Sequence, residues 1–214
     1  MFYLWASFEI FSLLPLIYGL RIYRRFDGEL RLFYWYLLAG FLNWLVGLFV
    51  VLQAKNTLWI ANIFLPIELA FLLWLFSLWE KHDSIQLAMR VTIILFVLVW
   101  LAEISFLKNL REFSQISSPM ENIILIIASF LIIHDANKDS EIMLTDQPRF
   151  WIATGILLSS SGVVVILILS NWLLKFYPDI FRYAIFVSPI SSSVAQILFF
   201  GGFRCHYRLQ TSGG

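Results

Sequence analysis

Seven apolar runs of about 17 to 25 residues, with charges gathered into the short segments between them, set the pattern of this chain. They fall near 3–20, 32–52, 57–79, 89–107, 119–134, 150–174 and 179–203. A helix of that length crosses roughly 30 Å of hydrocarbon, and it keeps its backbone hydrogen bonds internal where no water can satisfy them. The pattern therefore predicts an all-α integral membrane protein: a single seven-helix transmembrane domain over 1–214, with no room for a soluble domain. Most of the runs are apolar all round, so periodicity does not assign their lipid-facing sides.

Charge supplies the orientation. The first run has no Lys or Arg before it and Arg21, Arg24 and Arg25 after it, the reverse of a cleavable signal peptide, which predicts a retained first helix with a cytoplasmic basic flank. Of the 15 Lys and Arg residues, the connections after runs one, three and five and the segment after run seven hold two thirds. That bias predicts the N-terminus outside and the C-terminus in the cytoplasm. Trp5, Trp35, Trp59, Trp79, Trp151 and Trp172 fall near expected helix ends, where indole rings anchor in the headgroups, whereas Trp44, Trp74 and Trp100 lie deeper.

Composition narrows the chemistry. Hydrophobic residues make up 60% of the chain and charged ones 14%, so the lipid bilayer is the expected surrounding. A net charge of +1 without a basic tract gives no electrostatic basis for nucleic-acid binding. One cysteine, Cys205, excludes an internal disulfide and a Cys-rich metal site. His82, His134 and His206 do not share the i, i+4 spacing of a helical zinc pair, and no metal or cofactor is expected. The helical His-x-x-x-His pair of seven-helix hydrolases and a Gly-x-Ser-x-Gly nucleophile are both missing, which argues against an enzyme. The lysines all fall in connections or at helix ends, which excludes a retinal Schiff base in the last helix.

Polar groups inside the runs are the candidate site, because an ionisable group in hydrocarbon is costly unless it has a task. Glu68 is the deepest, midway along the third run, just after Pro66. Proline cannot donate to the carbonyl of Asn62, so that oxygen is freed for another donor. Glu68 with Glu9, Asn43 and Asn62 forms the expected ligand or proton site; the alternative is an uncharged Glu68 that joins neighbouring helices as structural glue. Glu103 and Glu121 fall near helix ends and are expected to be wet; the alternative is that they face inward and join Glu68, Glu9, Asn43 and Asn62 in an acidic cavity open to the outside. In the sixth run, Gly155, Ser159 and Gly162 share one face, and Ser188, Ser191, Ser192 and Ala195 form a similar stripe in the seventh. Small stripes of this kind predict close packing of those two helices.

Phe150-Trp151, Thr154-Gly155, Ser161-Gly162 and Leu169-Ser170-Asn171, together with Pro66-Ile67-Glu68, resemble an uncharacterised family of bacterial seven-transmembrane-helix proteins of about this length. Ser160 stands where that family usually carries an aromatic residue. Its members are often encoded near sensor histidine kinases. The resemblance implies a location in the bacterial cytoplasmic (inner) membrane and a sensory or accessory role beside a kinase or other membrane signalling protein. On that view the cytoplasmic segments Arg21 to Arg31 and His134 to Arg149 would carry the signal. A proton-coupled small-solute transporter that uses Glu68 is the alternative from the residues themselves.

Overall fold

In a computed structural model of the protein, the described residues are 10–53, 55–107, 114, 116–138, 143–177, 184 and 186–212, with 168–175 and 212 described by backbone alone. They form helices and turns, with no strand among them. The α-helices are α1 (Leu13–Ile22), α2 (Gly28–Leu52), α3 (Leu58–Trp79), α4 (Asp83–Ala102), α5 (Ser117–Lys138), α6 (Pro148–Phe176) and α7 (Val187–Ser212). A 3-10 turn, Ile10–Ser12, leads into α1, and a π-helical turn, Glu103–Leu107, continues α4.

Five helices are long and apolar enough to cross a membrane by length and composition: α2, α3, α4 with its π-helical turn, α5 and the Pro148–Leu167 part of α6. The first and last expected spans, 3–20 and 179–203, lie partly outside the described residues. Several helices run beyond their apolar stretches. Helix α2 starts at Gly28 rather than 32, α4 at Asp83 rather than 89, and α7 continues through Arg204, His206 and Arg208 to Ser212. The physical reason is that hydropathy marks where a helix leaves hydrocarbon, whereas its backbone bonds continue through Glu, Arg and Gln, all good helix formers.

The connections are correspondingly tight. Arg21 lies inside α1, a 3-10 turn takes Tyr23–Arg25, and α2 begins after Asp27, whose extended backbone (φ −67°, ψ 166°) stops the preceding turn. The segment expected as a charged connection over Arg21 to Arg31 is therefore mostly helical. Between α3 and α4, a Glu80 carboxylate oxygen (Oε1) accepts from the backbone N–H groups of Lys81 and His82, each at 3.1 Å, and the Gln86 amide donates to the Glu80 carbonyl at 2.8 Å.

The chain divides into two compact units, one of Met1–Arg25 with Asn122–Gly214, the other of Phe26–Glu121. In the first, α6 lies along α7 and α1 packs on α7. Tyr18 meets Phe200 edge-on at 4.9 Å, and the Arg25 guanidinium sits over the Tyr207 ring at 4.9 Å. Gly155 lies against Phe199: a Cβ there would come within 2.9 Å of the Phe199 ring atom Cδ1 and 3.2 Å of the Ala195 carbonyl. At Gly162 a Cβ would overlap the Ser191 hydroxyl and reach 2.7 Å from its Cβ. The hydroxyls of Ser159 and Ser192 are 3.3 Å apart. Ser188 contributes its backbone carbonyl, which accepts from the Ser191 hydroxyl at 2.8 Å. Gly202 continues the contact, with the Pro148 carbonyl 3.2 Å from the position of an added Cβ.

At one end of this unit the 3-10 turn Leu144–Asp146 is fastened on two sides. The Trp151 indole donates to the Thr145 carbonyl at 2.7 Å, and Arg208 pairs with Asp146 at 2.6 Å. Cys205 points its sulfur at the same Thr145 carbonyl, 3.8 Å away. Burial, then the nearby Asp146 carboxylate, push the thiol above its ordinary value and make it a weaker nucleophile. His206 is buried, with its ring nitrogen Nε2 3.1 Å from the Arg25 carbonyl.

In the second unit α3 packs against both α2 and α4. Its core includes Phe33, Leu69, Leu72, Leu73, Phe76 and Phe96.

The close approach of α6 and α7 predicts a contrast between glycines. Gly162→Ala should lower stability by about 1–3 kcal/mol through overpacking. Gly47→Ala, where an added Cβ meets nothing within 4 Å, should be neutral or stabilising by up to about 1 kcal/mol through helix propensity. Thermal unfolding of both variants in detergent checks this, and equal losses would count against packing as the cause.

Candidate functional site

Glu68 sits ten residues into α3, so its backbone is about 15 Å from the start of that helix. Its half-buried carboxylate oxygen Oε1 accepts a hydrogen bond of 2.7 Å from the Tyr36 hydroxyl of α2. Glu121, in the first turn and a half of α5, lies close enough for its charge to act on both Glu68 and Tyr36. Glu121 is only 3% exposed, and its oxygen Oε1 has no hydrogen-bond partner among the described residues. Two carboxyls and a phenol from three helices thus converge within one unit.

Pro66 shapes the neighbouring contact. It leaves the Asn62 carbonyl without its usual helical donor, and the Trp100 indole of α4 donates to that oxygen at 2.9 Å. Trp100 is the deep indole whose N–H must find an acceptor inside the fold. The site's backbone irregularity is thereby tied to α4.

Glu103 has a different task. It is 4% exposed rather than wet, and Glu121 at the start of α5 is buried in the same way. The Glu103 carboxylate accepts from the hydroxyls of Ser114 and Ser117 and from the backbone N–H groups of Ile116 and Ser117, the last at 2.9 Å. A carboxylate at the N-terminus of α5 satisfies donors that the helix cannot use itself and faces the positive end of its dipole. The expectation of wet helix ends fails because the end of α4 and the start of α5 meet each other through these groups.

The other expected residues separate. Asn62 is buried, but six residues before Glu68 places it about 120° away around the helix axis. Asn43 is half-buried, two turns beyond Tyr36 on the same face of α2. Glu9 lies outside the described residues. Gly155, Ser159, Gly162 and Ser192 belong to the contact between α6 and α7 described above, whereas Ser188 bonds to Ser191 within α7. Sequence reasoning does not single out Tyr36; the available signal is a phenol inside an apolar run, whose hydroxyl needs a partner when buried.

Two substitutions separate these roles. Trp100→Phe removes the donor to the Asn62 carbonyl and should destabilise by about 1–3 kcal/mol, the cost of an unsatisfied buried acceptor. Glu103→Ala removes charge-assisted bonds at the start of α5 and should cost about 2–4 kcal/mol. Chemical unfolding in mixed micelles measures both, and an unchanged midpoint for Glu103→Ala would show that the start of α5 does not depend on it. No protein-family model, curated protein or solved structure matches the chain, so the functional reading rests on the chemistry of these residues.

Proposed function

We propose that this protein is a polytopic sensory or accessory protein of the bacterial inner membrane. On this reading it forms a seven-span bundle, N-terminus outside and C-terminus cytoplasmic, and relays the occupancy of an intramembrane site to a separate signalling protein such as a sensor histidine kinase. The observation that carries it is the Tyr36–Glu68 hydrogen bond midway along α3, with the buried Glu121 carboxyl beside it.

The site takes a proton or a small cationic ligand. Occupancy removes the repulsion between the two carboxyls and changes the demand on the Tyr36 hydroxyl, which is the link between α2 and α3. A bond that joins two helices converts a local charge change into a bias on how they pack. The excess of Lys and Arg on one side supports the orientation, and the resemblance to the kinase-associated family supports the choice of partner.

The same carboxyl pair also favours a second reading, a proton-coupled small-solute transporter, because a membrane carboxyl can alternate between charged and neutral forms. Gentle purification from native membranes, followed by mass spectrometry, separates the two. A signalling protein recovered in stoichiometric amount, whose activity loses its dependence on external pH or ligand in Glu68→Gln, is the expected result. Recovery of the chain alone, with solute flux in liposomes that Glu68→Gln abolishes, would establish the transporter instead. If Glu68→Gln leaves every response intact, both readings fail.

A further inference from the structure

A groove of about 440 Å³ opens on the surface of the second unit, between the start of α2 (Leu32), the last turns of α3 (Ala70, Phe71, Trp74) and the first turns of α4 (Arg90, Ile93, Ile94). It has one cationic end and an apolar body. Arg90 is exposed, seven residues into α4, about 10 Å along its axis. Its guanidinium lies over the Trp74 ring at 5.2 Å. Among the described residues no carboxylate pairs with it. One helical turn farther from the α3–α4 connection the walls are Ala70 and Ile94, with Phe71 and Ile93 beside them.

An arginine one to two turns inside the end of a membrane-crossing helix needs an anion or a route to the headgroup region. Arg90 stays in place over Trp74, an arrangement that leaves the edge of its planar fork able to donate to a phosphate while its face is held by the indole. The groove lies on helices long and apolar enough to cross a membrane, and its volume is in the range of small-ligand sites. The charge at one end and the apolar walls beyond it match an amphiphile with an anionic head.

We propose that this groove binds one anionic phospholipid, its phosphate on Arg90 and an acyl chain along Ala70, Phe71, Ile93 and Ile94. The site is separate from the Glu68–Tyr36 contact and depends on neither the sensory nor the transport reading. Arg90 and Trp74 recognise the head, and the small side chain of Ala70 leaves the space that the chain occupies.

Native mass spectrometry of the intact protein tests it, with phosphatidylglycerol and phosphatidylcholine of equal chain length added together to the micelles. The expected result is a single retained phosphatidylglycerol, favoured over phosphatidylcholine by about fivefold, the effect of one basic residue near an anionic head. Arg90→Ala should remove the preference and Arg90→Lys should retain part of it. Ala70→Trp fills the groove with the cation unchanged and should reduce retention of both lipids; circular dichroism and thermal unfolding show whether each variant is folded. Equal retention of the two lipids by the unaltered protein would overturn the proposal, as would an undiminished preference in folded Arg90→Ala. Undiminished lipid retention in folded Ala70→Trp would also overturn it, because the acyl chain would then contribute nothing.

Discussion

Hydrocarbon offers no hydrogen bonds, and the polar contacts of the second unit answer that constraint. The Asn62 carbonyl that Pro66 releases is taken by Trp100, the Glu68 carboxyl by Tyr36, and the Glu103 carboxylate by the start of α5. A neutral bond such as that from Trp100 to the Asn62 carbonyl contributes only about 1 kcal/mol net, whereas an unmet buried group costs about 1–3 kcal/mol. The asymmetry means that these pairs do little to drive helices together but strongly disfavour arrangements that part them. Leu69, Leu72, Phe76 and Phe96 fill the space between the helices, and the polar pairs select which packing is allowed.

The first unit solves the same problem differently. Along the α6–α7 seam the polar side chains are mostly serines, and several turn back to carbonyls of their own helix, as Ser161 does to Leu157 and Ser193 to Pro189. Cohesion between α6 and α7 comes from backbones brought close at Gly155, Gly162 and Gly202. Dispersion over such a seam needs no carboxyl, and the Ser159–Ser192 hydroxyl contact is the polar link that accompanies it. The buried Glu121 carboxyl and the Glu68–Tyr36 pair lie in the other unit.

The helices and the small-residue stripes are legible in the sequence because both are local patterns: an apolar run, or Gly155, Ser159 and Gly162 within two turns. Pro66 likewise announces a freed carbonyl, since the missing N–H is a property of the residue itself. Its new donor is not legible, because Trp100 is 38 positions away and only the fold decides that α4 lies there. Tyr36, 32 positions from Glu68, is hidden for the same reason. Glu103 and Glu121 mislead because nearness to a helix end reads as contact with water, while the end of α4 and the start of α5 cover each other. Helix limits mislead where charged helix-forming residues carry the backbone past the hydrocarbon, as from Gly28 to Arg31 and from Arg204 to Ser212.

The notches between α6 and α7 also act as a vernier. Phe199 lies over Gly155, Ser192 beside Ser159, and Ser191 against Gly162. A slip of one turn, about 5.4 Å, would in one direction bring Phe199 to Ser159 and Ser191 to Ile166, and in the other bring Phe199 to Trp151 and Ser191 to Leu158. None of these positions has the gap that the matched glycines provide. Sliding is thus opposed in either direction, and movement along the helix axes carries the two helices together.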